Sequence, residues 1–230
     1  MTDMMNPKTS STGATTETVG FPGVRMTGIS MIAAPALLVA GAALLLGIYD
    51  KSGSEQLQAI AENTARAHAA VNLAIAGTAM TVFAVAGLAA AVARQRPRAG
   101  HVGGTLAIIG LFGPAFFLGI NYLNLQLADL ADRAGAVTAL EDAKSTLNIV
   151  NICGPALLVG FIVLAVGAAR AGVLSRNRSI ALGLSALAPL GLISGVIVIS
   201  IVAWLALAVA LAPLGLQTLG ERPHPSATLR

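Results

Sequence analysis

Five stretches of this chain carry no Asp, Glu, Lys or Arg: Met26–Tyr49, Ala67–Ala93, Ala99–Ala128, Ser145–Ala169 and Ser179–Gly220. About 20 consecutive apolar residues suffice for a helix to cross a ~30 Å hydrocarbon layer. Inside that layer water cannot satisfy backbone N–H and C=O groups, so only helices and closed barrels can span it. Barrel strands alternate polar and apolar residues over about 10 positions, and these runs do not alternate. The expected fold class is therefore all-α: a multi-pass transmembrane helical bundle of about five spans.

Composition excludes the soluble alternative. Only 10% of the 230 residues are charged, against about a quarter in soluble domains, which is too few to clothe a water-facing surface. The net charge of +4 comes without aromatic residues interleaved among basic ones, so the arginines read as topology signals and nucleic acid is not an expected partner. The expected partner is the lipid bilayer. Cys153 is the sole cysteine and lies inside an apolar run, which rules out an intramolecular disulfide and a cysteine metal cluster. No metal site or cofactor is expected.

The predicted spans are about 28–49, 69–93, 102–123, 149–169 and 190–211, within a membrane domain covering 26–212. Residues 1–25 are rich in Thr, Ser and Gly and read as a disordered tail; residues 213–230 read as a short polar C-terminal tail. The last apolar run, Ile180–Ala212, is too long for one upright helix and too short for two. Pro189 and Gly191 should kink or break it. The preferred reading is one full span preceded by a short interfacial or kinked turn. The alternative is a re-entrant hairpin that returns the C-terminus to the cytoplasm.

Orientation follows from lysine and arginine in the short loops. One set of loops carries Arg94, Arg96, Arg98, Arg170, Arg176 and Arg178 and no acid. The opposite set carries Asp50, Glu55, Glu62, Asp129, Asp132, Glu141 and Asp142 against four basic residues. The arginine loops and the N-terminus are expected in the cytoplasm, which with five spans places the C-terminus outside a plasma membrane. The two outer connections look helical. Ser52-Gly-Ser-Glu55 and Thr138-Ala-Leu-Glu141 fit capping boxes, and Leu57, Ile60 and Ala61 share a face. Leu123, Leu127 and Leu130 suggest that span three continues beyond the membrane.

A 79-residue shift places Pro35-Ala36 on Pro114-Ala115, Asp50 on Asp129, Glu62 on Glu141 and Val71-Asn72 on Val150-Asn151. Residues scarce in this chain coincide, which suggests a tandem duplication of a helical hairpin, spans one and two with spans three and four.

No ionisable residue falls near a span midpoint, which argues against proton-coupled transport and against intramembrane acid–base catalysis; no catalytic residue is assigned. The polar candidates are His68, Asn72, Asn121, Asn124, Asn148 and Asn151, toward the outer ends of the spans. They could converge in an outward-facing pocket or simply form interhelical hydrogen bonds. Pro35, Pro114, Pro155 and Pro189 are candidate helix kinks. Gly100-xxx-Gly104 and Gly191-xxx-Gly195 are small-residue packing motifs, and the second could join span five to a second copy or to another membrane protein. Three functions are compatible with this pattern. The first is a non-catalytic scaffold, partner or regulatory membrane subunit. The others are a transporter or channel for a small uncharged or lipophilic solute, and a membrane enzyme acting on a lipid or isoprenoid.

Overall fold

The computed structural model describes residues 23–51, 53–128, 149–193 and 196–220, with Gly135 and Thr138, and omits the side chains of 149–152 and 192–193. The described residues are helical, without strands: α1 (Val24–Leu44), α2 (Gly53–Glu62), α3 (Thr64–Ala93), α4 (Pro97–Leu127), α5 (Ile149–Arg170), α6 (Arg176–Ser185), α7 (Ala188–Ile193) and α8 (Ile197–Gly220). Five segments are long and apolar enough to cross a membrane: α1, α3, α4, the Cys153–Arg170 part of α5, and α8. At most 44% of any of their most apolar windows is buried within the bundle. Large apolar side chains such as Ile109, Phe112, Ile162, Val202 and Val209 point outward. In water such a surface would aggregate; in lipid it is the solvent contact.

The long helices form a ring in which α1 packs on α3, α3 on α4, α4 on α5, α5 on α6, α6 on α8, and α8 back on α1. The interior is a continuous apolar core that includes Met31, Leu88, Leu111, Phe161, Leu182, Trp204 and Leu211. Lipid tails are as apolar as leucine, so burial from lipid gives little driving force, and small residues that allow close packing hold the ring instead. The seam between α4 and α5 shows this along its length. A carbon added at Gly103 would sit 3.0 Å from the Leu164 amide nitrogen, and one at Gly110 would fall on the backbone of Leu157. From the other side, Gly160 meets the Ala107 backbone, and a carbon added at Gly167 would sit 2.8 Å from the Ala99 methyl. Gly100 and Gly104, the expected motif, instead face Ala89 and Ala93 of α3.

Contacts between helix ends fix the path of the chain. The start of α1 meets the end of α8, where Gly28 lies against Thr218 and Gly215. The start of α8 meets the far end of α1, with Ile197 clustering with Ala42, Leu45 and Ala70. Arg170 and Arg176, which close α5 and open α6, lie at the end where α1 begins. The chain from Arg176 to Ile193 therefore travels the length of the bundle as a broken helix, α6 followed by α7, before α8 returns. Val24 and Gly220 lie at one end of the bundle, where five spans alone predict opposite ends. The last long helix runs over Ile197–Gly220 rather than 190–211, continuing through Pro213 into the segment expected to be a polar tail. The break comes where Pro189 was expected to act, with turns at Ala186 and Leu187 and Pro189 in the first turn of α7. Gly191 is not in the last span. It is buried against the Ser200 backbone, and Ser200 Oγ donates to the Ala188 carbonyl at 2.8 Å. That glycine closes a hairpin within the chain; Gly195 lies outside the described residues.

The first span also shifts, to Val24–Leu44 from the expected 28–49. Gly47 adopts φ +79° and its amide donates to Asp50 Oδ2 at 3.1 Å. That left-handed turn ends the helix and tucks Leu45 and Ile48 inward. At 30 and 31 residues, α3 and α4 measure about 45 Å at 1.5 Å per residue, longer than a ~30 Å hydrocarbon layer. Their surplus length supports a second small core in which Ile48, Leu57, Ile60, Val71 and Leu125 pack together under α2. Glu55, Gln58 and Glu62 face away from it, as the pattern predicts. The chain bends at Asn63 between α2 and α3, so Glu62 and Arg66 do not form the helix-surface pair their spacing suggests. Glu62 accepts from Gln58 Nε2 at 3.0 Å, and Arg66 donates to the Leu46 carbonyl at 2.8 Å. Carbonyls at a helix C-terminus lack partners within the helix and carry partial negative charge, which a guanidinium satisfies. Ser52, Leu130, Asp129, Glu141 and the counterpart of α2 lie outside the described residues, so the tandem duplication stays a reading of the sequence.

Candidate functional site

On α4, Asn121 and Asn124 are one turn apart on the face that packs inward, and both are nearly fully buried, at 2% and 4% exposure. Asn121 borders a cavity of about 40 Å³ shared with Thr78 of α3, Pro114 and Leu118 of α4, and Ile197 and Trp204 of α8. Such a space holds water but is far below the roughly 300–1,000 Å³ of small-molecule sites. Asn124 faces the phenol of Tyr49, which lies in the turn after α1. Burial pushes the Tyr49 phenol well above its ordinary value. The hydroxyl is buried and reaches hydrogen-bonding geometry with no described group.

The structure does not bring the other candidates to this point. Val71 and Ala70 take the inward face of α3, and Asn72, one residue on, is exposed. His68 is half-buried on the same helix. Asn148 and the side chain of Asn151 lie outside the described residues. Among the described residues no three His, Cys, Asp or Glu side chains come together. Of the prolines, Pro35 and Pro114 are buried, Pro189 is half-buried and Pro155 faces outward. α1, α4 and α5 each continue through their proline.

Residues that sequence reasoning missed complete the site. Thr78 stands on the buried stripe Val71–Thr78–Val85–Val92, a seven-residue spacing that marks it as inward-facing. The sequence places Tyr49 at the tip of the first span, and only the Gly47 turn turns it back on α4. Chemically, two amides, a hydroxyl and a phenol offer hydrogen-bond donors and acceptors without a group that titrates near neutrality.

Two larger grooves open sideways. One, of about 580 Å³, runs between α3 and α4 and is lined by Ile75, Thr78, Phe112, Leu118 and Tyr122 among others. It shares Thr78 and Leu118 with the interior cavity. The other, of about 690 Å³, lies between α4 and α5 at the arginine end. The chain matches no family model, no curated protein and no solved structure.

Proposed function

We propose that this chain is a non-catalytic membrane subunit, one that scaffolds or regulates a partner in the plasma membrane with its arginine end in the cytoplasm. The observation that carries this reading is the continuity of the core: apolar side chains fill the ring from Met31 through Trp204 to Leu211. A body packed in this way acts through its surface. The orientation rests on the arginines, since Arg94, Arg96, Arg98, Arg170, Arg176 and Arg178 crowd one end while the described carboxylates Asp50, Glu55 and Glu62 occupy the other. Affinity isolation of the full chain from its own membranes in mild detergent tests the reading. A membrane protein should co-purify at fixed stoichiometry across several detergents.

The second reading, passage or capture of a lipophilic solute, is favoured by one feature: the lateral groove and the interior cavity meet at Thr78 and Leu118. If the chain reconstituted alone carries saturable solute flux that Trp204→Ala or Asn121→Leu abolishes, this reading replaces the first.

A further inference from the structure

From the groove between α4 and α5 at the arginine end, we infer that the chain holds one anionic phospholipid there, its phosphate among Arg96, Arg98 and Arg170 and an acyl chain along α5. The inference is independent of the proposed function. The groove has the two chemistries of such a lipid in the right order. Three arginines line its mouth, and Ile162, Val163 and Val166 line the apolar trough that continues along α5. Its floor is closed by the crossing of Gly167 over Ala99, so a chain lying there meets packed protein rather than a gap.

None of the three guanidinium groups has an ion pair or hydrogen bond to a described residue, and no described carboxylate lies at this end. Arginine presents a planar fork of donors that matches phosphate oxygens, and basic pockets between membrane helices favour anionic headgroups. The start of α4 adds to this charge. Gly100 is the first residue whose amide bonds back, to the Arg96 carbonyl at 3.0 Å. Pro97 has no N–H, so the amides of Arg98 and Ala99, at the positive end of the helix dipole, are left for an anion.

Native mass spectrometry of the purified full chain, with phosphatidylglycerol or phosphatidylcholine added in detergent, tests the inference. One phosphatidylglycerol should stay bound at energies that strip phosphatidylcholine. Each arginine at the surface should contribute roughly fivefold in affinity, so Arg96→Gln with Arg98→Gln and Arg170→Gln should weaken binding ~100-fold. Arg176→Gln with Arg178→Gln removes charge at the same end outside the groove and should leave binding unchanged. Filling the trough with Val166→Trp should weaken binding with every arginine present, and free glycerol phosphate should not compete. Equal retention of both lipids, equal loss in the Arg176 and Arg178 variant, or displacement by glycerol phosphate would each overturn the inference.

Discussion

The helix α4 has two long neighbours, and it holds them by different means. Against α5 it is a zipper of close contacts from Gly103 to Gly113, backbone on backbone at Gly110 and Gly160, with Gly167 answering from the other helix. Against α3 the same closeness exists only near the arginine end, at Gly100 and Gly104. Further along, Ile108, Phe112 and Leu118 take the places where glycine would be needed, and the helices part to leave the lateral groove. At the acidic end α2 bridges them, packing on both α3 and α4. One interface is held by dispersion between close backbones in lipid, the other by a small apolar cluster under an amphipathic helix. The second has the polar-outside, apolar-inside pattern that the hydrophobic effect sorts, with Glu55, Gln58 and Glu62 turned away from Leu57 and Ile60.

The zipper predicts the largest effect. Gly110→Leu would drive a side chain into the Leu157 backbone, which cannot swing aside as a side-chain tip could, and should cost about 3 kcal/mol or more. Gly119 on the same helix has nothing within 4 Å of its would-be side chain, so Gly119→Leu should stay within about 0.5 kcal/mol of the parent. Reversible unfolding in mixed micelles reads both, and similar costs for the two would break the contrast. Cys153 offers a second reading of the seam. It is buried, and a carbon added at Gly113 would sit 2.9 Å from its Cβ, whereas Ala79 is exposed in the lateral groove. A lipid-soluble maleimide should leave Cys153 untouched in the folded protein and label a variant carrying Ala79→Cys. Labelling of native Cys153 would mean the zipper is open.

In the cluster at the acidic end, Ile60 is completely buried. Ile60→Ala should cost about 2–4 kcal/mol, the usual range for emptying a core site next to water. The loss should be local. Amide exchange in α2 and in the 45–50 turn should accelerate while the seam between α4 and α5 keeps its protection. Uniform acceleration through both regions would show that the two interfaces are one cooperative unit.

How much of this was legible follows the same division. The spans come from long uncharged runs, and their type is fixed by a requirement that every backbone group faces in lipid. The inward face of α2 is likewise written in Leu57 and Ile60, because water still sorts polar from apolar there. Within the spans that sorting fails: both faces are apolar, so the sequence does not say that Asn72 turns outward while Asn121 turns in. The signal that does survive is small-residue spacing, and it is ambiguous about partners. Gly100 and Gly104 pack as a pair on α3, but Gly191 closes a local hairpin that no spacing rule distinguishes from a docking motif. The fate of the last apolar run was hidden for a related reason. Two short helices separated by the turns at Ala186 and Leu187 share the run along the bundle, and neither meets the length criterion for a span.

The smallest effect separates capping from packing at the acidic end. Arg66 stands outside the small core and reaches it only through the Leu46 carbonyl at 2.8 Å. That bond links the first turn of α3 to the end of α1, where the helix leaves carbonyls unpaired. The site is exposed, so water competes for the same carbonyl and the net gain is reduced; Arg66→Met should cost about 0.5–1 kcal/mol. Methionine keeps much of the aliphatic length, so what is lost is the donor. Amides of Ile48 and Tyr49, which bond back to Leu45, should exchange a few-fold faster, while those of α2 and of the seam between α4 and α5 do not change. If α2 loosens by the same factor, Arg66 works by packing in the cluster; if Ile48 and Tyr49 are unaffected, the turn is held by its own Gly47 and Asp50 contact alone.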